Sequence, residues 1–469
     1  MKVPRKNVTT RIADFVAATR FEDIPAAVLE TAKAHILDGI ATMIAGAREE
    51  ASLRIRRYVI GLGGAREATI VGTRIKIAAR YAALANGVQG HVLDYDDTQL
   101  ATSAKIPFGQ LTHPTTPVLA AALALAEKFS ARGGDLLAAY IVGVEVACRL
   151  ADAIDPRHYL DGFHSTGTIG VFGAAAASAR LAALDAKRTE SALGLAATFS
   201  AGVRANRGSM AKALNAGRAA ENGVVAAELA RLGFTAAENI FEAPMGFFSA
   251  ASRNNVDGSR LRFGKPFFFG APGIAVKRYP CAGVLHSALD AAIDLAVRHD
   301  IDARSIEKIT LTMGKLSAAP LVYDRPATGM EGKFSAPFSV AVALLDRAAG
   351  LRQYVDAKVS EGAVQALMRK VELVRDARLD AAGVEHALAR LEIRLRRGRS
   401  YRAASHPPKG HPKNPLSPHE LEDKFRECAG AHLDGPSIQR MIDTIRSIEN
   451  VRSISSMMAD FRRASAKIK

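Results

Sequence analysis

The sequence predicts a mainly α-helical protein with one inserted change of texture. Two observations carry this. Aromatics make up only 6% of the residues, tryptophan is absent and alanine is abundant, so small side chains must fill the core. Helices can pack closely through small residues, whereas a β-sandwich relies on branched and aromatic ones. Apolar residues also recur at helical spacing through most of the chain, but alternate over Ile306–Met313 and Leu391–Leu395 as strands do. The expected organisation is therefore a helical part over 1–271, an α+β unit over 272–404 and a return to helices over 405–469.

At 469 residues the chain is long enough for a large core and more than one domain. Composition is globular, with 48% hydrophobic and 23% charged residues. The formal net charge of +16 has three readings: nucleic-acid binding, a solvated basic surface, or attraction of a polyanionic metabolite. The second is preferred to the first. No aromatic-basic motif accompanies the charge, and much of the excess lies in Arg394–Lys413 and the last ten residues. No apolar run is long enough to span a bilayer, and the residues after Met1 lack the apolar core of a secretory signal. Cys148, Cys281 and Cys428 lie far apart without a CxxC pair, so neither a disulfide framework nor a zinc ribbon is expected. A reducing cytoplasm suits them.

In order, residues 9–46 read as two helices, with Asp38-Gly39 inside the second as a close helix contact. Residues 53–75 read as a glycine-containing loop. A small-residue helix over 77–98 carries His91, with Asp94 and Thr98 following at i+3 and i+7. Helices are expected at 115–129 and at 135–153, the latter capped through Gly133-Gly134-Asp135 and holding a Glu145–Arg149 pair. Gly162-Phe163-His164-Ser165-Thr166-Gly167-Thr168 precedes an Ala-rich helix to about Leu184, and suits either an anion at a helix N-terminus or simple capping. A helix over 188–201 comes next. The basic loop Gly202–Lys212 then precedes a helix to about Leu232. Residues 245–272 look like a packed Phe/Gly crossover. The second unit should hold helices near 283–299, 334–347 and 357–369, and the C-terminal part three more at 418–430, 436–446 and 451–464.

The densest polar stretch is His91-Val92-Leu93-Asp94-Tyr95-Asp96-Asp97-Thr98, with His113-Pro114 after it. Taken alone it reads as a substrate site, a metal site or a solvated helix end. Lys277-Arg278-Tyr279-Pro280-Cys281 puts two cations ahead of a helix bearing His286 and Asp290. Cys281 has no histidine beside it in sequence, so a thiol nucleophile is a minority reading. Tyr323-Asp324-Arg325-Pro326 is a turn whose phenol can reach a site.

Taken together, these pieces resemble the MmgE/PrpD family. They are Asn86-Gly87 through Thr98, His113-Pro114, Gly162–Thr168, Met210-Ala211-Lys212 before Gly217, Lys277–Cys281 with His286, and Asn414-Pro415-Leu416-Ser417 with Lys424-Phe425. Their order holds along almost the whole chain. The resemblance implies a large helical domain built from both chain ends, an inserted α+β lid and a homodimer. It implies a small di- or tricarboxylate as substrate, no organic cofactor and no metal. The decarboxylase branch implies a pocket of Asp94, Thr98, His113, His164, Lys212, Lys277 and Tyr323.

On that basis His113 and His164 are expected to transfer protons. Lys212 and Lys277 should clamp carboxylates, and Asp94 should orient a cation because it would repel an anionic substrate. Thr98, Tyr323, Ser165, Thr166 and His91 are expected to bind or flank the substrate. Asp96 and Asp97 take helix-end or loop-ordering roles. Dehydration of a 2-methylcitrate-like substrate is the first expectation, with decarboxylation and epimerisation next. A metal-dependent hydrolase on His91, Asp94, Asp96 and Asp97 is the competing enzyme class, without HExxH or EF-hand spacing to support it. A basic nucleic-acid-binding protein is the competing non-enzyme, and an iron–sulfur cluster has no local cysteine motif.

Overall fold

A computed structural model describes residues 7–100, 112–154, 157–382, 388–404 and 407–465. The first six residues, the stretch leading into His113 and the last four residues lie outside these. The chain divides into two compact units. The first takes the described residues within Met1–Val92, Leu111–Ile274 and Pro418–Lys469, and the second those within Leu93–Gln110 and Ala275–Ser417. Texture alone placed the changes at 272 and 405, and gave no sign that the residues after Val92 group with the second unit. The protein is mainly α, with a four-stranded sheet in the second unit and a two-residue antiparallel pairing of Ala68–Thr69 with Lys76–Ile77 in the first.

The first unit begins with α1 (Val8–Ala18), α2 (Ala26–Gly46), α3 (Glu50–Leu62) and α4 (Ala79–Val92). It continues with α5 (Thr115–Lys128), α6 (Gly133–Ala153), α7 (Gly170–Leu181), α8 (Ala186–Thr198) and α9 (Ala211–Arg231). Helix α3 corrects the expected loop at 53–75. Its apolar residues Ile55, Tyr58, Val59 and Leu62 recur at helical spacing, although only Ala51, Ser52 and Val59 of this helix are buried. Helix α4 is shorter than the sequence suggested, ending at Val92. Helix α6 starts at Gly133 rather than after it, and Asp135 Oδ2 accepts from Arg132 N at 3.3 Å. Gly133 N in turn donates to Val451 O at 2.8 Å.

Small residues set the helix spacing here. Helices α4 and α9 pack together at Gly87 and Gly217. A β-carbon on Gly217 would lie 2.6 Å from Val88 Cγ2 and 2.7 Å from Leu84 O, and one on Gly87 would lie 2.7 Å from Gly217 Cα. Asp38-Gly39 does make the expected close contact, since a β-carbon on Gly39 would lie 2.7 Å from Leu119 Cδ2. The Glu145–Arg149 pair forms at 2.8 Å, and Glu145 also accepts from Gly264 N at 2.9 Å and from Phe268 N at 2.5 Å.

The second unit holds α10 (His286–Arg298), α11 (Ala336–Asp346) and a four-stranded sheet. Its strands are β1 (Ile306–Met313), β2 (Val371–Arg375), β3 (Ala389–Leu395) and β4 (Ser400–Ala404), in spatial order β2-β1-β3-β4. Strand β1 runs parallel to β2 and antiparallel to β3, pairing Ile309 with Val371 and with Ile393. Ile306, Ile309, Leu311, Met313, Leu391 and Ile393 pack beneath Leu285, Leu289 and Phe338 in one core. Edge strands β2 and β4 escaped the sequence reading. Their inward residues, Val371 and Leu373 in β2 and Tyr401 and Ala403 in β4, are only half-buried, so the apolar alternation is brief.

The chain then returns to the first unit as α12 (Pro418–Ala429), α13 (Gly435–Arg446) and α14 (Ile454–Ala464). Buried charge fastens it there. Lys424 meets Asp38 of α2 at 2.5 Å. Glu127 of α5 accepts from Thr69 N at 2.7 Å and Thr69 Oγ1 at 2.8 Å, and pairs with Arg462 at 2.7 Å and Lys76 at 3.1 Å. No helix among the described residues is long and apolar enough to cross a membrane.

The glycine crossing makes a first test. Gly217→Ala adds a methyl group where Leu84 O and Val88 already lie too close, and should destabilise the protein by about 1–3 kcal/mol. Urea unfolding measures this. A wild-type midpoint and slope would show that α4 and α9 do not meet this tightly.

Candidate active site

In the first unit, four expected residues come from four separate stretches. His91 is buried on the last turn of α4, and His113 lies just ahead of α5. His164 precedes the single turn Ser165–Thr168, and Lys212 opens α9. The His91 ring centroid is 4.8 Å from that of His113 and 5.6 Å from that of His164. His113 N donates to Thr166 Oγ1 at 3.1 Å, which ties the His113 segment to the His164 turn. Ser165 and Thr166 are both buried.

The two glycine-containing loops that looked unrelated in sequence are partners. His164 N donates to Gly202 O at 3.0 Å and Arg204 N to Gly162 O at 2.8 Å, around an antiparallel bridge between Phe163 and Val203. The turn after His164 is less open to an anion than its composition suggested. Gly167 N and Thr168 N both donate back to His164 O, at 2.8 and 3.1 Å.

Asn215 was missed. Its amide nitrogen is 3.0 Å from His164 Nδ1. An amide nitrogen donates, so Nδ1 accepts, and the neutral ring carries its proton on Nε2. The signal was present: Asn215 lies three residues after Lys212, on the same side of α9. Burial holds His164 well below the usual histidine range, reinforced by the positive charge of His91, Lys212, His113 and Arg207. His164 is therefore a neutral Nε2–H donor at physiological pH.

His158 behaves similarly for structural reasons. Its Nδ1 donates to Ala251 O at 3.2 Å, its Nε2 accepts from Thr168 Oγ1 at 2.7 Å, and burial pushes it down from 6.5 to about 4.

In the second unit, the helical register expected for Asp94 and Thr98 does not form. The helix has ended at Val92, Asp94 adopts a left-handed φ of 53°, and Thr98 begins a two-residue strand. The break turns Asp94 towards Lys277. Lys277 Nζ lies 2.9 Å from Asp94 O and 3.2 Å from Asp94 Oδ1, and both side chains are buried. Asp96 and Asp97 are buried as well, which removes both the solvated-helix-end reading of the stretch and their helix-end role. Tyr95 OH donates to Arg278 O at 3.0 Å.

Arg278 is not a second carboxylate clamp. It pairs with Asp290 at 3.2 Å, and Asp290 also accepts from Tyr279 OH at 2.6 Å. His286, Thr98, Lys277 and His411 line a cavity of about 30 Å³, room for a water molecule. Tyr323 is half-buried against the core of its unit, and its N–H donates to Phe334 O at 3.4 Å. Cys281 is fully buried, and burial pushes its thiol up to about 12. That removes it as a nucleophile near neutral pH.

Residues 10–258 match the MmgE/PrpD N-terminal domain, and residues 279–450 match the MmgE/PrpD C-terminal domain. The chain belongs to the MmgE/PrpD family. His91, Asp94, Thr98, His113, His164, Lys212 and Asn215 fall within the N-terminal match and Tyr323 within the C-terminal one, while Lys277 lies between the two. Similar proteins include the human cis-aconitate decarboxylase, 27% identical over 96% of this chain and 93% of the human one. The Aspergillus terreus cis-aconitate decarboxylase is 27% identical over 97% and 96% of the two chains. The mouse cis-aconitate decarboxylase is 25% identical over 96% and 92%.

Two measurements check this chemistry. Folded His158 stays neutral while the unfolded chain takes up a proton, so its contribution is whole above about pH 6.5. It is lost as pH falls towards 4, a difference on the order of 3 kcal/mol. Urea unfolding between pH 7 and 5 should show the fall, and His158→Gln should make it shallower, His164 still contributing its share. An identical slope in the variant would assign the pH dependence elsewhere. Iodoacetamide at pH 8 should leave Cys281 unlabelled in the folded protein and label it in urea, as read by peptide mass spectrometry. Rapid labelling of the folded form would contradict the burial of the thiol.

Proposed function

We propose that this protein is a lyase acting on a small di- or tricarboxylate, and that its reaction is loss of carbon dioxide from a cis-aconitate-like substrate. The observation that carries the reading is the imidazole cluster of His91, His113 and His164 beside Lys212, with His164 held neutral and its proton on Nε2. Such a cluster offers hydrogen-bond donors, positive charge and a proton carrier to a carboxylate. The relatives named cis-aconitate decarboxylase support decarboxylation over the dehydration that the sequence suggested first.

Breaking the bond to the departing carboxylate leaves its electron pair on an allylic carbon. Conjugation carries the pair through the double bond to the carbon beside a second carboxylate, whose oxygens take the charge. Lys212 stabilises that charge and His164 donates Nε2–H to the same carboxylate, while Lys277 acts as a further carboxylate clamp. The His113 imidazolium gives the carbon its proton and is recharged from water. The electrons of the broken bond end in the new C–H bond, so the balance requires no oxidant or organic cofactor. Asp94 holds Lys277 in place. Dehydration and epimerisation would pass through the same carboxylate-stabilised carbanion, so they are alternative outcomes of one test. A homodimer and a cytoplasmic site of action belong to the same proposal.

The test is to incubate the purified protein with cis-aconitate, 2-methylcitrate, citrate and iminodisuccinate, and to follow products by NMR. Release of carbon dioxide from cis-aconitate is expected. Turnover of none of the four would sink the reading, and loss of water alone would move it to the dehydratases. His113→Ala should lower kcat about 10²–10⁴-fold. If His113 and Lys277 serve one step, His113→Ala combined with Lys277→Met loses little more than the worse single variant.

A further inference from the structure

Lys333 belongs to none of the motifs above, yet it holds the backbone of the Asp94 stretch. It is 5% exposed, and its ammonium lies on two carbonyls, Leu93 O at 2.8 Å and Pro280 O at 2.9 Å. Its own carbonyl accepts from Ala282 N at 3.0 Å, and its charge lies 5.3 Å from the Tyr354 ring centroid. A buried ammonium is an expensive way to fill space, because an apolar side chain of similar volume avoids the desolvation cost. What the ammonium adds is direction, since it fixes which way the carbonyls point.

Leu93 O and Asp94 O are consecutive carbonyls, and each is held by a different buried lysine. Lys333 holds the first and Lys277 the second, at 2.9 Å. Together they orient the peptide planes on both sides of Asp94. Asp94 also has a φ of 53°, a left-handed conformation that costs most side chains about 1–2 kcal/mol and that Asp enters more readily than they do. That conformation places Asp94 Oδ1 3.2 Å from Lys277 Nζ.

We propose that Lys333 is a positioning residue, holding Asp94 in the left-handed turn that pairs it with Lys277. Its catalytic consequence rests on the proposed function, whereas its effect on the turn does not. Removing the Lys333 charge loosens the segment 93–99 and misplaces Lys277, without removing a group that touches the substrate. The expected signature is a loss in kcat with little change in KM.

The experiment compares wild type with Lys333→Met, Lys333→Arg and a control, Lys358→Met. Lys358 belongs to the same unit but pairs with Asp346 at 2.9 Å and Glu361 at 2.8 Å, away from this turn. Hydrogen exchange of amides 93–99 and steady-state kinetics on whichever polycarboxylate the wild type turns over are the two readouts. Lys333→Met should speed exchange in 93–99 about tenfold or more. It should lower kcat about 10–100-fold, the loss of a charged hydrogen bond, with KM within about threefold. Lys333→Arg should fall between, and Lys358→Met should change neither readout.

A folded Lys333→Met with wild-type exchange and wild-type kcat overturns the proposal. Should Lys333→Met not fold, Lys333→Gln takes its place, and wild-type values of both readouts in a folded Lys333→Gln would assign Lys333 to stability alone and overturn it equally. A wild type that turns over no polycarboxylate ends the functional reading, while the exchange measurement still decides whether Lys333 holds the turn.

Discussion

The contact between Gly87 and Gly217 is the constraint on which the helical unit depends. With no side chain between them, α4 and α9 approach backbone to backbone, and the residues just beyond the crossing are brought within reach of one another. His91 follows Gly87 by one helical turn, while Lys212 and Asn215 precede Gly217 on α9. One imidazole of the cluster, His91, and the amide that fixes the His164 tautomer thus come from two helices whose separation is set by two missing side chains. The alanine-rich composition extends the same logic through α5, α6 and α7, where almost every residue is buried. Such a core has little capacity to repack, and that rigidity suits a site whose chemistry depends on where an imidazole points.

Charge is buried in both units, and it is directed towards specific partners. Glu145 accepts two backbone N–H groups besides Arg149, and Glu127 takes two hydrogen bonds from Thr69 besides Lys76 and Arg462. Lys277 and Lys333 rest on carbonyl oxygens. Buried ions contribute little net stability unless their remaining hydrogen-bonding capacity is met, but they specify geometry strongly. The His164 environment differs, because the charges that weigh on it most, those of His91, Lys212, His113 and Arg207, are all positive. There the result is a neutral imidazole rather than an ion pair.

Most of the fold was legible because most of it is written in apolar period. The helices α1, α2 and α5 through α9 announce themselves in that way, as do strands β1 and β3. Helix α3 and the edge strands β2 and β4 were passed over, since their apolar patterns are short and stand among charged residues. The candidate residues were legible as types, not as neighbours. Nothing in the spacing of His164 and Arg204 shows that their loops form a β-bridge, and nothing in Lys333 marks it as a partner of Leu93, 240 positions away. The one spacing argument applied to the His91 stretch failed at Asp94. Helical i+3 geometry assumes a continuing helix, and the left-handed turn there is held by lysines distant in sequence.

The ion cluster at Glu127 also bears on how the chain comes to completion. Its anchor to Arg462 spans 335 positions, and the Asp38–Lys424 pair likewise joins the second helix to a late one. Synthesis from the N-terminus releases the four strands of the sheet before the helix that carries Lys424. The insert can therefore form its sheet while the helical unit still lacks α12 and α14, whose ion pairs to α2 and α5 latch that unit shut.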